Sequence, residues 1–123
     1  MQDKDAIAAV IRTYFDCMNE SSAEKVREAF HSNARITGYL PDGLHEMTVE
    51  DFAQFVVSQQ PSPKEKGDAE VLELVSLDIA GNTAVARVRD QYLGMNFLDT
   101  LSFLKIDSEW FIYNKLFHVE STL

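Results

Sequence analysis

The sequence predicts an α+β fold in which three N-terminal helices pack on a strongly curved, mixed or antiparallel β-sheet. Helix-type spacing of apolar residues is confined to the first half of the chain, before Pro61. From Ala69 onward only strand-type alternation occurs, and Gly81-Asn82 has the composition of a hairpin turn. Helices followed by a four-stranded antiparallel meander are typical of the α+β class, with the helices on one face of the sheet.

Three amphipathic helices are expected ahead of the meander. The first is predicted over residues 3–19, the second over about 22–30, and the third from Thr48 to before Pro61. Asp51 stands three residues after Thr48, which is the spacing of a helix cap. The inward-facing residues, which recur at three- and four-residue spacing, are Ile7, Val10, Ile11, Tyr14, Phe15 and Met18 in the first helix and Phe52, Phe55 and Val56 in the third.

The strands alternate between two faces, so each has a predicted inner and outer side. Residues 34–39 and 44–47 are expected to pair across the turn at 41–43, and 60–68 is predicted to be a loop. Lys115 in the last strand is predicted to reach solvent or to pair with an acid. One face of the strand over 83–92 carries Ala84, Ala86, Val88, Asp90 and Tyr92.

The stretch that follows contains a carboxylate in an otherwise apolar row. One face of its first strand carries Met95, Phe97, Asp99, Leu101 and Phe103. An unpaired buried charge costs several kcal/mol, so Asp99 either has partners, is protonated or faces a cavity. The possible ion-pair partners are Arg35, Arg87 and Arg89, and Asn96, Leu98 and Thr100 would form the pocket face if the sheet had the opposite orientation.

Length and charge limit the possible functions. At 123 residues the chain is expected to be one domain, 1–123, with a sizeable core. Its formal net charge of −9 disfavours nucleic acid and anionic membrane surfaces as partners. A single cysteine, Cys17, and a first segment unlike a signal peptide predict a cytoplasmic protein.

The sequence also bears on cofactors and on association. No pair among His31, His45 and His118 has metal-ligand spacing, and no Gly-rich phosphate loop is present, so neither a metal nor a cofactor is expected. The last strand carries large side chains on both of its faces. A homodimer through the outer face of the sheet is therefore expected, because that face would otherwise leave an apolar patch in water.

Several phrases of the chain resemble a known family. The segments AFHSNARITGY, SLDIAGNTAVARV and FLDTLSFLKIDSEWFIYNKLFH are similar to small bacterial proteins labelled "putative lumazine-binding". That group belongs to the nuclear-transport-factor-2-like (NTF2-like, SnoaL-like) superfamily, whose cystatin-like cone is shared by ketosteroid isomerases, scytalone dehydratase and polyketide cyclases. The resemblance covers essentially the whole chain, and it implies a deep pocket between helices and sheet and frequent dimers.

The similarity to ketosteroid isomerases also assigns site residues. In those enzymes a tyrosine on the first helix and a neutral carboxylic acid on a late strand form an oxyanion hole. Through the phrases VIRTYF and FLDTLSF, the resemblance implies these roles for Tyr14 and Asp99. The isomerase's general base falls near Gly38, and the next carboxylate, Asp42, is in a turn. The resemblance therefore implies the donor half of such a site without its base.

Together, residues and resemblance give a candidate site. Tyr14 and Asp99 are the catalytic candidates, with His118 as a possible base. The alternatives are a core tyrosine at Tyr14 and a surface ion pair at Asp90. The candidate ligand-binding residues are Tyr14, Phe15, Phe52, Phe55, Asp90, Tyr92, Phe97, Asp99 and Trp110.

Three functions are compatible with this site. The first is binding of a compact apolar or planar small molecule that carries a carbonyl or hydroxyl group. The second is acid–base catalysis by an isomerase, dehydratase or cyclase of the same fold, with His118 or Asp90 as base. The third is an association module in which the outer sheet face binds a second copy or another protein.

Overall fold

The helices lie against one face of a six-stranded sheet in the computed structural model, which describes residues 2–123. The predicted α+β architecture is confirmed. The helices are α1 (Asp3–Asn19), α2 (Ala23–Ala29), α3 (Val49–Ser58) and the single turn α4 (Pro63–Lys66). The strands are β1 (Phe30–Leu40), β2 (Gly43–Thr48), β3 (Leu72–Ala80), β4 (Thr83–Tyr92), β5 (Met95–Ile106) and β6 (Glu109–Thr122).

The sheet is mixed, with the strand order β2-β1-β6-β5-β4-β3. β3 to β6 form the predicted antiparallel meander, and β1 and β2 form the predicted hairpin. β1 pairs with β6 in parallel, which joins the hairpin to the meander. Parallel neighbours need a long connection, and most of the chain lies between these two strands.

Alternation on β4 and β5 explains which face of the sheet meets the helices. On β4, Ala86 and Val88 are fully buried, and the intervening Arg87 is exposed. On β5, Leu101 is fully buried and Phe103 is 1% exposed, whereas the residues between them are partly exposed. The face that carries Asp99 is thus the inner face, and the alternative orientation of the sheet is excluded.

Strict alternation fails on β6, where the pairing with β5 shifts register. Ser102 pairs with Asn114, but the adjacent Phe103 pairs with Ile112, so Tyr113 has no partner on β5. An extra residue of this kind is a β-bulge, and it reverses the faces of the residues that follow it. Lys115 therefore faces inward and is 6% exposed. The prediction that Lys115 reaches solvent is wrong for this reason.

The predicted loop over 60–68 contains α4, because its polar residues form a local cap. The Ser62 hydroxyl accepts a hydrogen bond from the Glu65 amide at 3.1 Å, and the Glu65 carboxylate accepts one from the Ser62 amide at 3.1 Å. These reciprocal bonds form a capping box around a single helical turn. Among residues 2–123, no helix combines the length and the apolar character needed to cross a membrane.

Candidate functional site

The centre of the site is a buried hydrogen bond between α1 and β5. The Tyr14 hydroxyl donates to Asp99 Oδ2 at 2.6 Å, and neither residue has any solvent exposure. Tyr14 lies on the inward stripe of α1, which places its ring against the inner face of the sheet. Burial and the nearby carboxylates of Asp90 and Asp99 raise the pKa of Tyr14, so its hydroxyl keeps its proton. None of the three candidate arginines pairs with Asp99 in the described chain.

A second carboxyl group lies beside the first. Asp90 on β4 is 2% exposed and is diagonal to Asp99, because Asp90 pairs with Phe97 and Val88 pairs with Asp99. The expected surface ion pair at Asp90 is therefore wrong. Burial, together with the charge of Asp99, raises the pKa of Asp90 well above its ordinary value.

The two carboxyl groups share one buried site. Within residues 2–123, Asp90 Oδ2 and Asp99 Oδ1 are buried and have no hydrogen-bond partner. Two like charges in one buried site cannot both ionise cheaply, which favours the protonated form of Asp90. Tyr14, Asp99 and Asp90 thus form a buried polar cluster in which the Asp90 carboxyl has an oxygen without a partner in the described chain.

Lys115 places a positive charge next to this cluster. Its Nζ lies 4.6 Å from the ring centroid of Tyr14, 4.7 Å from that of Phe52 and 5.6 Å from that of Phe117. Its one hydrogen-bond contact within the described chain is the Met18 thioether at 4.0 Å. Asp90 and Lys115 line the same cavity, and the charge of Lys115 acts against the rise in the pKa of Asp90.

A cavity of about 150 Å³ opens next to these groups, between α3, the β1–β2 hairpin and the inner sheet face. Its wall is mostly apolar, and its polar groups are Asp90, Lys115, Tyr92 and His45. The wall includes five of the predicted ligand-binding residues, namely Phe52, Phe55, Asp90, Tyr92 and Phe97. Tyr14 and Asp99 are behind this wall, where they contact the lining residues rather than the space itself.

A second cavity of about 350 Å³ lies on the other side of Tyr92. Phe15, predicted as a wall residue, lines this second cavity with α4 and the turn after β4. Met18, Tyr92 and Leu93 line both spaces. The Tyr92 hydroxyl is buried between the two cavities and, within residues 2–123, has no hydrogen-bond partner.

Two predicted site residues lie away from this cluster. Trp110 is buried near the start of α1, where its indole Nε1 donates to Asp3 Oδ1 at 3.1 Å. His118 is exposed, and its strand neighbour Phe117 faces the cavity, so His118 is on the outer face of the sheet. The β6 bulge again decides this orientation. The structure therefore does not bring His118 or Trp110 together with Asp99.

The close contacts at Gly38 explain why this position, where the resemblance implies a general base, carries no carboxylate side chain. Gly38 pairs with Phe117 across the parallel β1–β6 interface. A Cβ at Gly38 would clash with the Phe117 carbonyl oxygen and would lie 2.6 Å from the Phe117 ring carbon Cδ1. A side chain at Gly38 is thus excluded by Phe117, which itself lines the cavity.

His45 is a cavity residue that the sequence analysis did not select. Its ring lines the cavity, and its Nε2 is 2.7 Å from Asp42 Oδ1 across the β1–β2 turn. This hydrogen bond lowers the pKa of Asp42, which keeps the carboxylate ionised. This pairing could have been found from the sequence, because Asp42 and His45 flank a predicted turn and such a turn brings their side chains together.

The described residues do not support metal-dependent or thiol chemistry. Within residues 2–123, no three His, Cys, Asp or Glu side chains are arranged to hold a metal ion. Cys17 is fully buried, and burial raises the pKa of its thiol to about 12. A thiol with such a pKa is not a nucleophile near neutral pH.

Helices on one face of a mixed sheet, with a cavity between the two layers, define an NTF2-like protein. A solved NTF2-like protein of unknown function from Methylobacillus flagellatus KT is 30% identical, with a TM-score of 0.84 over 97% of this chain and 93% of that one. An NTF2-like protein of unknown function from Shewanella baltica OS155 is 25% identical, with a TM-score of 0.84 over 98% of this chain and 96% of that one. The chain belongs to the family described as "Putative lumazine-binding", whose family model matches residues 2–118.

One relative has a named activity. The aldolase FrzH of a Cladobotryum species is 25% identical over 114 residues, which are 93% of this chain and 89% of that protein. The family match and the solved structures confirm the resemblance to the NTF2-like superfamily and to the group described as "Putative lumazine-binding".

Proposed function

We propose that this protein binds a compact planar small molecule in the cavity between α3 and the inner sheet face, with Asp90 as the main hydrogen-bond donor. The observation that carries the proposal is a buried carboxyl group, with one oxygen unpartnered in residues 2–123 and a raised pKa, in the wall of an otherwise apolar cavity. Ligand sites are typically apolar spaces with a few polar groups that orient the ligand. A carbonyl oxygen is the ligand group that complements a neutral carboxylic acid.

Tyr14 and Asp99 act in this proposal as positioning residues. The Tyr14 hydroxyl donates to Asp99 at 2.6 Å, and Asp99 lies beside Asp90 and raises its pKa. The pair therefore favours the protonated form of Asp90, whose O–H can donate to a ligand. Phe52, Phe55 and Phe97 supply the apolar contacts for the body of the ligand.

Binding can be tested with lumazine, which is planar, carries two carbonyl groups and matches the family description. We expect lumazine to raise the thermal midpoint of the protein, because a ligand that binds only the folded state stabilises it. Asp90→Ala should weaken lumazine binding by about tenfold or more, because the donor to the ligand carbonyl is lost. The control is Asp78→Ala, which removes an exposed carboxylate on β3. No stabilisation by lumazine at millimolar concentration, or equal binding by Asp90→Ala, would contradict the proposal.

A second candidate function is acid–base catalysis on a carbonyl compound, including aldol-type chemistry as named for the relative FrzH. The specific observation in its favour is His45, which lines the same cavity as Asp90 and is held by Asp42 at 2.7 Å. In this candidate, the imidazole removes a proton from the carbon next to the carbonyl group. Asp90 donates a hydrogen bond to the oxygen, which becomes an enolate.

Catalysis can be measured as exchange of the α-protons of cyclohexanone in deuterated water, followed by proton NMR. His45→Gln should abolish the exchange above background, because glutamine cannot accept the proton. The matched control is His118→Gln, which changes an exposed histidine of the outer sheet face. Exchange at the wild-type rate in His45→Gln, or its loss in His118→Gln, would contradict the role of His45. Absence of exchange in the wild-type protein would leave binding as the function.

We also propose a homodimer through the outer sheet face. Leu116 on β6 is 57% exposed, Tyr39 on β1 is 68% exposed, and Val85 on β4 is 40% exposed on the same side. Large exposed apolar side chains on one face of a sheet are a feature of association surfaces. Leu116→Asp should give a monomer by analytical ultracentrifugation, whereas Val57→Asp, on the exposed side of α3, should not. A monomeric wild-type protein at micromolar concentration would contradict the dimer.

A further inference from the structure

The ammonium group of Lys115 has a hydrogen-bonding capacity that the protein does not use. An ammonium group has three N–H donors and no acceptor. The one acceptor that Nζ contacts in residues 2–123 is the Met18 thioether at 4.0 Å, and a thioether is a weak acceptor. No carboxylate oxygen of the described chain lies within 4.0 Å of it. A buried polar group without partners costs free energy, so the unsatisfied N–H donors of Lys115 are unfavourable in the free protein.

The position of Lys115 is fixed by the groups around it. The rings of Tyr14, Phe52 and Phe117 surround Nζ at 4.6, 4.7 and 5.6 Å. The negative faces of aromatic rings attract a cation, so these three rings stabilise the charged form without providing a counter-ion. Phe52 and Phe117 also line the cavity, together with Lys115 itself. The ammonium group of Lys115 therefore lies at the cavity wall.

The acidic group that lines the same cavity forms no ion pair with Lys115. Asp90 is that group, and burial next to Asp99 favours its protonated form. Asp99 is sealed behind the wall, where its Oδ2 accepts the Tyr14 hydrogen bond. The cavity surface thus presents a cation and a neutral acid, which are both donors.

We propose that the cavity binds a compact planar monoanion, whose anionic oxygen lies at Lys115 and whose apolar body lies against the phenylalanine rings of the wall. The class includes an aromatic carboxylate, an enolate or the deprotonated form of an acidic imide. Charge-assisted hydrogen bonds are stronger than neutral ones, and a cation in an apolar cavity discriminates strongly between an anion and its neutral isostere. This assignment rests on the proposed binding function and specifies the ligand class.

The test compares benzoate with benzamide, which are planar and nearly equal in size but differ in charge. Titrations are followed by amide chemical shifts, which report both the affinity and the location of binding. We expect benzoate to bind at least about tenfold more tightly than benzamide, because only benzoate forms an ion pair with Lys115. In Lys115→Met, benzoate affinity should fall to that of benzamide, since methionine keeps the length and removes the charge.

Two controls locate the charge that matters. Lys66→Met removes the lysine that lines the second cavity, and Lys64→Met removes an exposed lysine of the same short helix. Both variants should keep the wild-type preference for benzoate. Loss of the preference in Lys66→Met, with retention in Lys115→Met, would overturn the assignment and place the anion in the second cavity.

If Lys115→Met fails to fold, the comparison of benzoate with benzamide on the wild-type protein still tests the anion site. Equal binding of benzoate and benzamide would overturn the anion site while leaving the ligand-binding cavity intact. Binding of neither compound, with no response to lumazine, would overturn the proposed function and the anion site together. A preference for benzoate with shifts confined to the residues around Lys115 would support the assignment.

Discussion

The inner face of the sheet has two halves that are built from the same strands but differ in chemistry. In the apolar half, Ala86 pairs with Leu101, and Phe103 pairs with both Ala84 and Ile112. These residues are almost completely buried against the helices. In the polar half, a few residues further along the same strands, the buried positions include Asp90, Tyr92, Asp99 and Lys115 beside Phe97 and Phe117.

The difference shows where stability and function reside. The apolar half is stabilised by burial of side chains that need no partners. The polar half leaves three buried oxygen atoms of the described chain without a partner, and it adjoins a cavity rather than close-packed side chains. Natural proteins keep such unfavourable arrangements mainly at functional sites. Substitutions in the two halves should therefore have different consequences for stability and binding.

Truncation in the apolar half should have the largest effect on stability. Phe103 is 1% exposed, and Phe103→Ala should lower the free energy of unfolding by about 3–5 kcal/mol, through lost burial and a new cavity. Urea unfolding measures this loss. Any lumazine binding by the folded fraction should keep its wild-type affinity. A loss below about 1 kcal/mol would show that the apolar half is not the stabilising half.

Removal of the Tyr14 hydroxyl tests the polar half directly. Tyr14→Phe leaves Asp99 Oδ2 without its donor and should cost about 1.5–3 kcal/mol of unfolding free energy. The control Tyr113→Phe changes a tyrosine of the outer face and should cost little. In a double-mutant cycle, Asp99→Asn should remove most of the cost of Tyr14→Phe, because the two groups interact directly. Additive effects of the two substitutions would contradict the interaction.

A methyl group at Gly38 should disturb both stability and the cavity. In Gly38→Ala the new Cβ meets the carbonyl oxygen and the ring of Phe117, so the two strands must separate or the ring must move. Overpacking of this kind typically costs about 1–3 kcal/mol. Because Phe117 lines the cavity, lumazine affinity should also change. Thermal unfolding with and without lumazine measures both effects, and an unchanged midpoint would show that Phe117 moves freely.

Replacement of Asp90 by asparagine should change the pH dependence of stability. The pKa of Asp90 is raised in the folded state, so above the ordinary value the folded state retains a proton that the unfolded state has lost. Wild-type stability should therefore fall as pH rises through this window, by up to about 1.4 kcal/mol per pH unit. The asparagine amide does not titrate, so the stability of Asp90→Asn relative to wild type should increase with pH.

The matched control for this effect is Asp78→Asn, in which an exposed carboxylate of β3 is replaced. Its stability relative to wild type should not vary with pH in the same range. Urea midpoints between about pH 4 and about pH 7, which span the ordinary pKa of an aspartate and neutral conditions, make the comparison. A constant difference between Asp90→Asn and wild type would show that Asp90 is ionised in the folded state.

Much of the fold could be predicted from the sequence because periodicity is a local property. The apolar spacing of α1 specifies its inward stripe, and the alternation of β4 and β5 specifies which residues share a face. The burial of Tyr14, Asp90 and Asp99 agrees with both patterns. The Tyr14–Asp99 contact could also be predicted, because the family resemblance implied that both residues belong to one site. Their participation in ligand binding stays a prediction.

The sequence by itself determined the α+β class, the order of the elements and which residues share a face of each regular strand. Only the tertiary structure decided which face is the inner one and which further groups complete the cavity wall. The bulge in β6 turned Lys115 inward and His118 outward, and such a register shift depends on pairing with β5 rather than on local composition. The parallel pairing of β1 and β6 placed Gly38 under Phe117, and the β1–β2 hairpin brought His45 to the cavity. Contacts between residues distant in sequence carry no local signal, and for this reason Lys115 and His45 were identified at the cavity wall only in the folded chain.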